Sequence, residues 1–250
     1  MSFIAFLKEN RVILDGGMGT LLQAAGLKPG EHPELWCITR PEIVTGIHRA
    51  YFEAGSHLVC TNTFGANCLK FDDSTLREMI FAGVKCARDA AEGKEDRFVA
   101  LDVGPTGKLL APTGTLPFEE AVEIFAKTVR LGVEAGVDAI LIETMTDSYE
   151  TKAALLAAKE NSTLPVLVTN AYGSDGKLMT GATPAAMVAM LEGMGVCALG
   201  ANCSLGPKQL VGVAKELLEH ASVPVILKPN AGLPAVREGK TVYDVTPEDF

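Results

Sequence analysis

The chain has 250 residues, 48% of them apolar, with 22 Lys plus Arg against 31 Asp plus Glu and a net charge of −9. That length fits one large α/β barrel or two small domains. The acidic balance excludes a basic stripe for nucleic acid and disfavours an anionic membrane surface, and no apolar run nears the roughly 20 residues needed to span a bilayer.

Met1–Asn10 lacks a cationic start, and its apolar patch is too short for a signal peptide; it predicts a short helix packed on a barrel floor. From there the pattern is strand, loop, helix, repeated. Apolar and β-branched runs predict strands at Arg11–Leu14, His57–Cys60, Phe98–Leu101, Ala139–Ile142, Val166–Thr169, Ala198–Ala201 and Val225–Leu227. Helical patterns lie between them at Pro41–Ala54, Ser74–Glu92, Pro117–Ala135, Ser148–Glu160, Pro184–Gly193 and Pro207–His220, several opening on Pro or Ser. Such alternation implies parallel strands joined by right-handed crossovers, the pattern of a (β/α)8 TIM barrel. No linker or composition break divides residues 1–250, which read as one domain. Seven strands are visible and an eighth is not; Thr246-Pro247 reads as the opening of one more helix, so the barrel is expected to lack its last strand and final helices.

Polar residues follow every predicted strand: Asp15, Thr61-Asn62-Thr63, Asp102, Glu143-Thr144, Asn170, Asn202-Cys203 and Lys228-Pro229-Asn230. The carboxyl edge of a parallel barrel is where ligands bind, so a pocket is expected at this edge. Cys203 stands where an apolar run stops and a helix begins, a place that favours a thiolate; a buried, inert cysteine is the plainer reading. Asp15 and Glu143 end different strands, and two carboxylates facing one cavity form an acid–base pair or clamp an ammonium group; bonding to nearby loop amides is the plain alternative. Gly16-Gly17-Met18-Gly19 matches no nucleotide loop but offers free amides to a small carboxylate, or is a tight turn only. Lys228 could be a Schiff-base lysine. Six cysteines without a secretion signal or a C-x-x-C pair point to reduced thiols and a cytoplasmic location. The four histidines show no ligand spacing, and His48 and His220 read as helix-surface residues.

Asp15-Gly16-Gly17-Met18-Gly19-Thr20, Thr61-Asn62-Thr63-Phe64, Gly104-Pro105-Thr106-Gly107, Glu143-Thr144-Met145, Gly200-Ala201-Asn202-Cys203-Ser204-Leu205-Gly206-Pro207 and Lys228-Pro229-Asn230-Ala231-Gly232 occur in one order. In that order they resemble the homocysteine-binding barrel of the homocysteine S-methyltransferases, most of all the N-terminal module of cobalamin-dependent methionine synthases. The resemblance implies methyl transfer to the thiolate of homocysteine or a similar small amino-acid thiol. It implies catalytic zinc held by three cysteine sulfurs, because zinc deprotonates a bound thiol. Cys203 matches the first ligand; the family's other two form a Cys-Cys pair on the eighth strand, which this sequence lacks, so they are expected beyond residue 250. The resemblance gives Asp15 and Glu143 to the substrate ammonium. It gives the amides of Gly17, Met18 and Gly19, with Thr63, to its carboxylate, and Asn202 and Asn230 to the metal and sulfur region. Methylcobalamin on a separate corrinoid module, recharged through a folate-binding module, is the implied methyl donor; S-methylmethionine and betaine serve sister families. Two other functions stay open: a non-catalytic substrate-binding module of a larger assembly, and a lysine-dependent aldolase-like lyase acting through Lys228.

Overall fold

A computed structural model describes residues 1–232, 235–237, 240–242, 245–248 and 250. The helices are α1 (Phe3–Glu9), α2 (Met18–Ala24), α3 (Trp36–Thr39), α4 (Pro41–Glu53), α5 (Asp73–Ala91), α6 (Phe118–Ala135), α7 (Ser148–Asn161), α8 (Pro184–Gly193) and α9 (Pro207–His220). The strands are β1 (Leu58–Cys60), β2 (Phe98–Val103), β3 (Ala139–Met145), β4 (Val166–Asn170), β5 (Ala198–Asn202), β6 (Val225–Lys228), β7 (Ala235–Arg237) and β8 (Lys240–Val242).

Strands β1 to β6 form one parallel sheet in sequence order, and β7 pairs with β8 antiparallel. In-order parallel pairing with a helix in every crossover from β1 to β6 is the curl of an α/β barrel. The sheet is a half-barrel consistent with a barrel lacking its final strands. The long helices start where side chains or prolines satisfy the first turn. Asp72 accepts from the Ser74 and Thr75 amides, Asp147 from that of Tyr149, and proline opens α4, α8 and α9.

The predicted first strand at Arg11–Leu14 is not a strand. It is reduced to one parallel bridge, Leu14 with Leu58. The Ile13 carbonyl accepts from the His57 and Leu58 amides, and the His57 ring takes the Ile13 amide at 3.1 Å. With β1 on one side and no neighbour on the other among the described residues, this segment lacks the second ladder that would regularise it. Ile13 here and Leu227 on β6 stay exposed, 51% and 44%. The helix predicted from Thr246 is a turn at 247–248, and Asp249 lies outside the described residues.

Alternation along the strands separates two cores. Leu58, Cys60, Phe98, Ala100, Ala139, Leu141, Leu167, Ala198 and Ile226 fill the barrel interior. Val59, Val99, Leu101, Ile140, Ile142, Val168 and Leu199 pack outward among the helices. Phe3 of α1 joins the interior group and meets Phe98 edge-on at 5.3 Å, so the N-terminal helix closes the floor as predicted. Continuing the inward parity by one step brings Asp102, Glu143, Asn202 and Lys228 to the inside of the opposite end.

His48 corrects the surface assignment. It is fully buried in α4, and neither ring nitrogen has a partner within the protein. Burial lowers its pKa from 6.5 to about 4. The unfolded chain therefore binds the extra proton first, and stability falls as pH drops below the ordinary histidine range, levelling off below about 4. Between pH 7 and pH 5 this group should remove about 2 kcal/mol, a loss that His48→Leu abolishes. Urea midpoints at the two pH values measure it; an equal slope in wild type and variant would refute it.

Candidate active site at the barrel mouth

Asp15, Cys60, Asp102, Glu143, Asn202, Cys203 and Lys228 line one cavity of about 690 Å³. The cavity runs from the mouth down beside residues 11–14 and β6 to Phe3 and Leu7 on the floor. Gly17, Met18 and Asn230 also line it.

The centre is a charge cluster. Lys228 Nζ lies 3.1 Å from Glu143 Oε2 and 3.5 Å from Asp15 Oδ1. Asp15 Oδ2 accepts from the Cys60 amide at 2.7 Å, which fixes the carboxylate. Glu143 sits in a register shift of β3 between Ile142 and Met145, and such an irregularity re-aims a side chain. Burial disfavours charge on Lys228, but Cys60, Glu143, Asp15 and Asp102 outweigh it and hold the ammonium well above the usual lysine range. Burial pushes the Asp15 carboxyl up, against the pull of Lys228 and the Cys60 amide. Burial and Glu143 raise Asp102 further, and its Oδ1 is buried without a partner.

Cys203 lies at the rim of this cluster. Its amide donates to the Lys228 carbonyl at 3.0 Å. Asn202 Nδ2 reaches its sulfur at 3.4 Å and Thr144 Oγ1 lies 3.8 Å away. Asn202 also bonds Thr144 at both ends of its amide, 2.9 and 2.8 Å, so the two loops are tied side by side. Thr144, Cys203 and Ser204 all have left-handed φ, 61°, 57° and 50°. Non-glycine residues in that region carry strain that clusters at functional sites. The thiolate expected at Cys203 is not favoured: burial, then the Glu143 carboxylate, raises this thiol despite Thr144 and Lys228.

Thr63 departs from the role the resemblance implies. It is fully buried, its hydroxyl bonds the Asp102 carbonyl and Thr61, and its amide bonds the Thr61 carbonyl. Neither Thr63 nor Gly19 lines the cavity. Asn170 points outward and holds the Met145 carbonyl and Thr151. Sequence patterns missed Tyr51, whose hydroxyl donates to the Gly17 carbonyl at 3.1 Å. A Cβ on Gly16 would meet that ring oxygen at 2.9 Å, so the glycine is what lets Tyr51 brace the loop.

Among the described residues no group of three or more His, Cys, Asp or Glu side chains is placed to hold a metal ion. Cys203 is one sulfur donor, and a zinc site takes three or four protein ligands. The described residues do not by themselves make up a zinc site.

An α/β half-barrel that gathers acids, an amide, a thiol and a lysine inside the carboxyl ends of its strands places them at the edge where ligands bind in barrels of this class. The chain belongs to the homocysteine S-methyltransferase family, whose model matches residues 12–250. It is 32% identical to the methionine synthase of Mycobacterium leprae and 33% identical to that of Mycobacterium tuberculosis, each over 98% of this chain. It spans 22% of the length of each of these relatives. Its fold matches the homocysteine methyltransferase MmuM from Escherichia coli in metallated form, with a TM-score of 0.78 at 24% identity, over 91% of this chain and 86% of that one. The apo form of the same protein gives 0.76 over 90% and 84%.

Proposed function

We propose that this barrel binds homocysteine and presents its sulfur for methylation to methionine. The observation that carries the reading is that Asp15 and Glu143 converge on a single ammonium group beside Cys203. A pair able to hold the ammonium of Lys228 is able to hold that of an amino acid. The substrate carboxylate then faces the amides of Gly17, Met18 and Gly19, of which the first two line the cavity. The thiol end lies toward Cys203, Asn202 and Asn230. In the transfer the substrate thiol gives its proton to solvent, its sulfur forms a bond to the methyl carbon, and the bond from methyl to donor breaks with its electron pair left on the donor. Methylcobalamin on a separate corrinoid module, itself recharged by a folate-binding module, supplies the methyl group in this reading. The relatives' much greater length accommodates such modules.

Zinc activation of the thiolate rests on the family resemblance and on Cys203, the one sulfur at the rim matching a family ligand. A non-catalytic binding module of a larger assembly is the second reading, in keeping with a chain that spans 22% of the length of its curated relatives. The lyase reading fares worse, because carboxylates beside Lys228 keep its amine protonated, without the lone pair a Schiff base needs.

Calorimetric titration with L-homocysteine tests the binding. With Lys228 replaced by Met, so that no resident ammonium competes for the acids, Asp15→Asn and Glu143→Gln should each weaken it by about tenfold or more, the size of one charge-assisted hydrogen bond. Unchanged affinity in both variants would remove the ammonium clamp. Label transfer from methylcobalamin to homocysteine then separates an enzyme from a binding module.

A further inference from the structure

Lys228 occupies the position of a ligand. Its Nζ sits between the two carboxylates that the reading above gives to the substrate amino group, at 3.1 and 3.5 Å, with Cys60 Sγ at 3.9 Å. The Lys228, Asp15 and Glu143 side chains are only 17%, 5% and 14% exposed. A second ammonium on the same two acids would face a like charge within a few ångströms in a partly desolvated place, which is strongly unfavourable.

We infer that Lys228 is a specificity-determining residue of this site: a resident ammonium that must be exchanged for the amino group of the incoming amino acid. Ligand binding then trades one set of N–H···O bonds for another. The net gain from a ligand's amino group is small, and the site discriminates weakly between an amino acid and its deaminated counterpart.

Charge balance explains why a resident cation is kept. Asp15, Asp102 and Glu143 are three acids lining one cavity, and Lys228 is the one cation that pairs with any of them among the described residues, with Asp15 and Glu143. Without Lys228 the acids must protonate or stay uncompensated. Exchange is also sterically open. Lys228 is the last residue of β6, which among the described residues pairs with β5 alone, and Lys228, Pro229 and Asn230 border the cavity. A four-carbon stem lets the ammonium swing without moving the backbone.

The inference rests on the assignment of Asp15 and Glu143 to the substrate amino group, and the experiment separates the two. The probes are L-methionine and 4-(methylthio)butanoate, which differ only in the amino group and need no thiol chemistry. Calorimetry is run on the wild-type chain and on Lys228→Met. In the wild type the two ligands should differ by less than about tenfold. Lys228→Met should bind methionine about tenfold tighter and 4-(methylthio)butanoate no tighter. Lys228→Gln, which keeps donors for the acids but no charge, should shift the ratio the same way and serves if Lys228→Met does not fold. A merely structural role for Lys228 would move both ligands together. Methionine affinity that is unchanged or lower in both variants overturns the proposal. In the Lys228→Met background, loss of the methionine preference on Glu143→Gln upholds the carboxylate assignment. Its retention overturns that assignment, as does a wild type that binds neither probe, and the proposal falls with it.

Discussion

Alanine in place of Gly200 is expected to destabilise the fold by about 3 kcal/mol or more and to abolish amino-acid binding. Gly200 pairs with Ile226 across β5 and β6. A Cβ at this position would lie 2.7 Å from the Ile226 carbonyl carbon and 2.8 Å from its nitrogen, with the carbonyl oxygen closer still. These are backbone atoms, so no rotamer change relieves the overlap, and one strand must move. Among the described residues strand β6 is held by β5 alone, which makes it the one to yield. Lys228 pairs with Asn202 in the same ladder, and the Cys203 amide hangs on the Lys228 carbonyl. Displacing β6 therefore pulls Lys228 off Asp15 and Glu143 and loosens the loop that carries Cys203. Gly193→Ala is the control: no atom lies within 4 Å of its added Cβ, and its effect should stay within about 0.5 kcal/mol. Urea midpoints of the two variants decide the matter. A Gly200→Ala chain as stable as wild type would show that the β5–β6 spacing does not depend on this glycine.

The same close approach shows what a linear sequence carries and what it hides. The buried strands were legible because a parallel strand covered on both faces is a continuous apolar run, as Phe98–Leu101 and Ala139–Ile142 are. The bounds of α8 and α9 were legible because proline stands at the first helical position of each. Helix α2 went unread because its cap is Gly17, which makes no side-chain bond, and its seven residues are too few for a clear period. Arg11–Leu14 has the composition of a strand, but regular structure needs partners, and only β1 is there to pair with it. His48 looked like a surface residue because charge is the usual reason for a histidine on a helix; its burial follows from which side of α4 meets the core. In the site, Asp15, Glu143, Asn202 and Cys203 were legible as polar residues ending apolar runs. The bond between Lys228 and Asp15 spans 213 positions, and the closing of a barrel, not a local motif, brings them together. Asp102, though noted at its strand end, gains its electrostatic weight only from burial beside Glu143.

That closing contact makes Asp15 the site residue whose truncation should harm the fold most. Asp15→Ala is expected to lower stability by about 3 kcal/mol. Two losses add up. The Cys60 amide loses the carboxylate it donates to at 2.7 Å and is left buried without it. Lys228 loses one of its two carboxylates while staying mostly buried. Asp15→Asn should cost much less, because an amide oxygen still accepts from Cys60 and only the charge is lost. The contrast between the two variants isolates the backbone bond from the ion pair. A cycle with Lys228→Met isolates the pair itself. If Asp15 and Lys228 stabilise each other, the double variant Asp15→Ala/Lys228→Met should be more stable than the sum of the single losses predicts, by about 1 kcal/mol. Strict additivity would mean that the two groups sit together without energetic coupling. In that case the ammonium of Lys228 would leave the pair at little cost, and its exchange with a ligand would be limited by the ligand's own contacts rather than by the lysine.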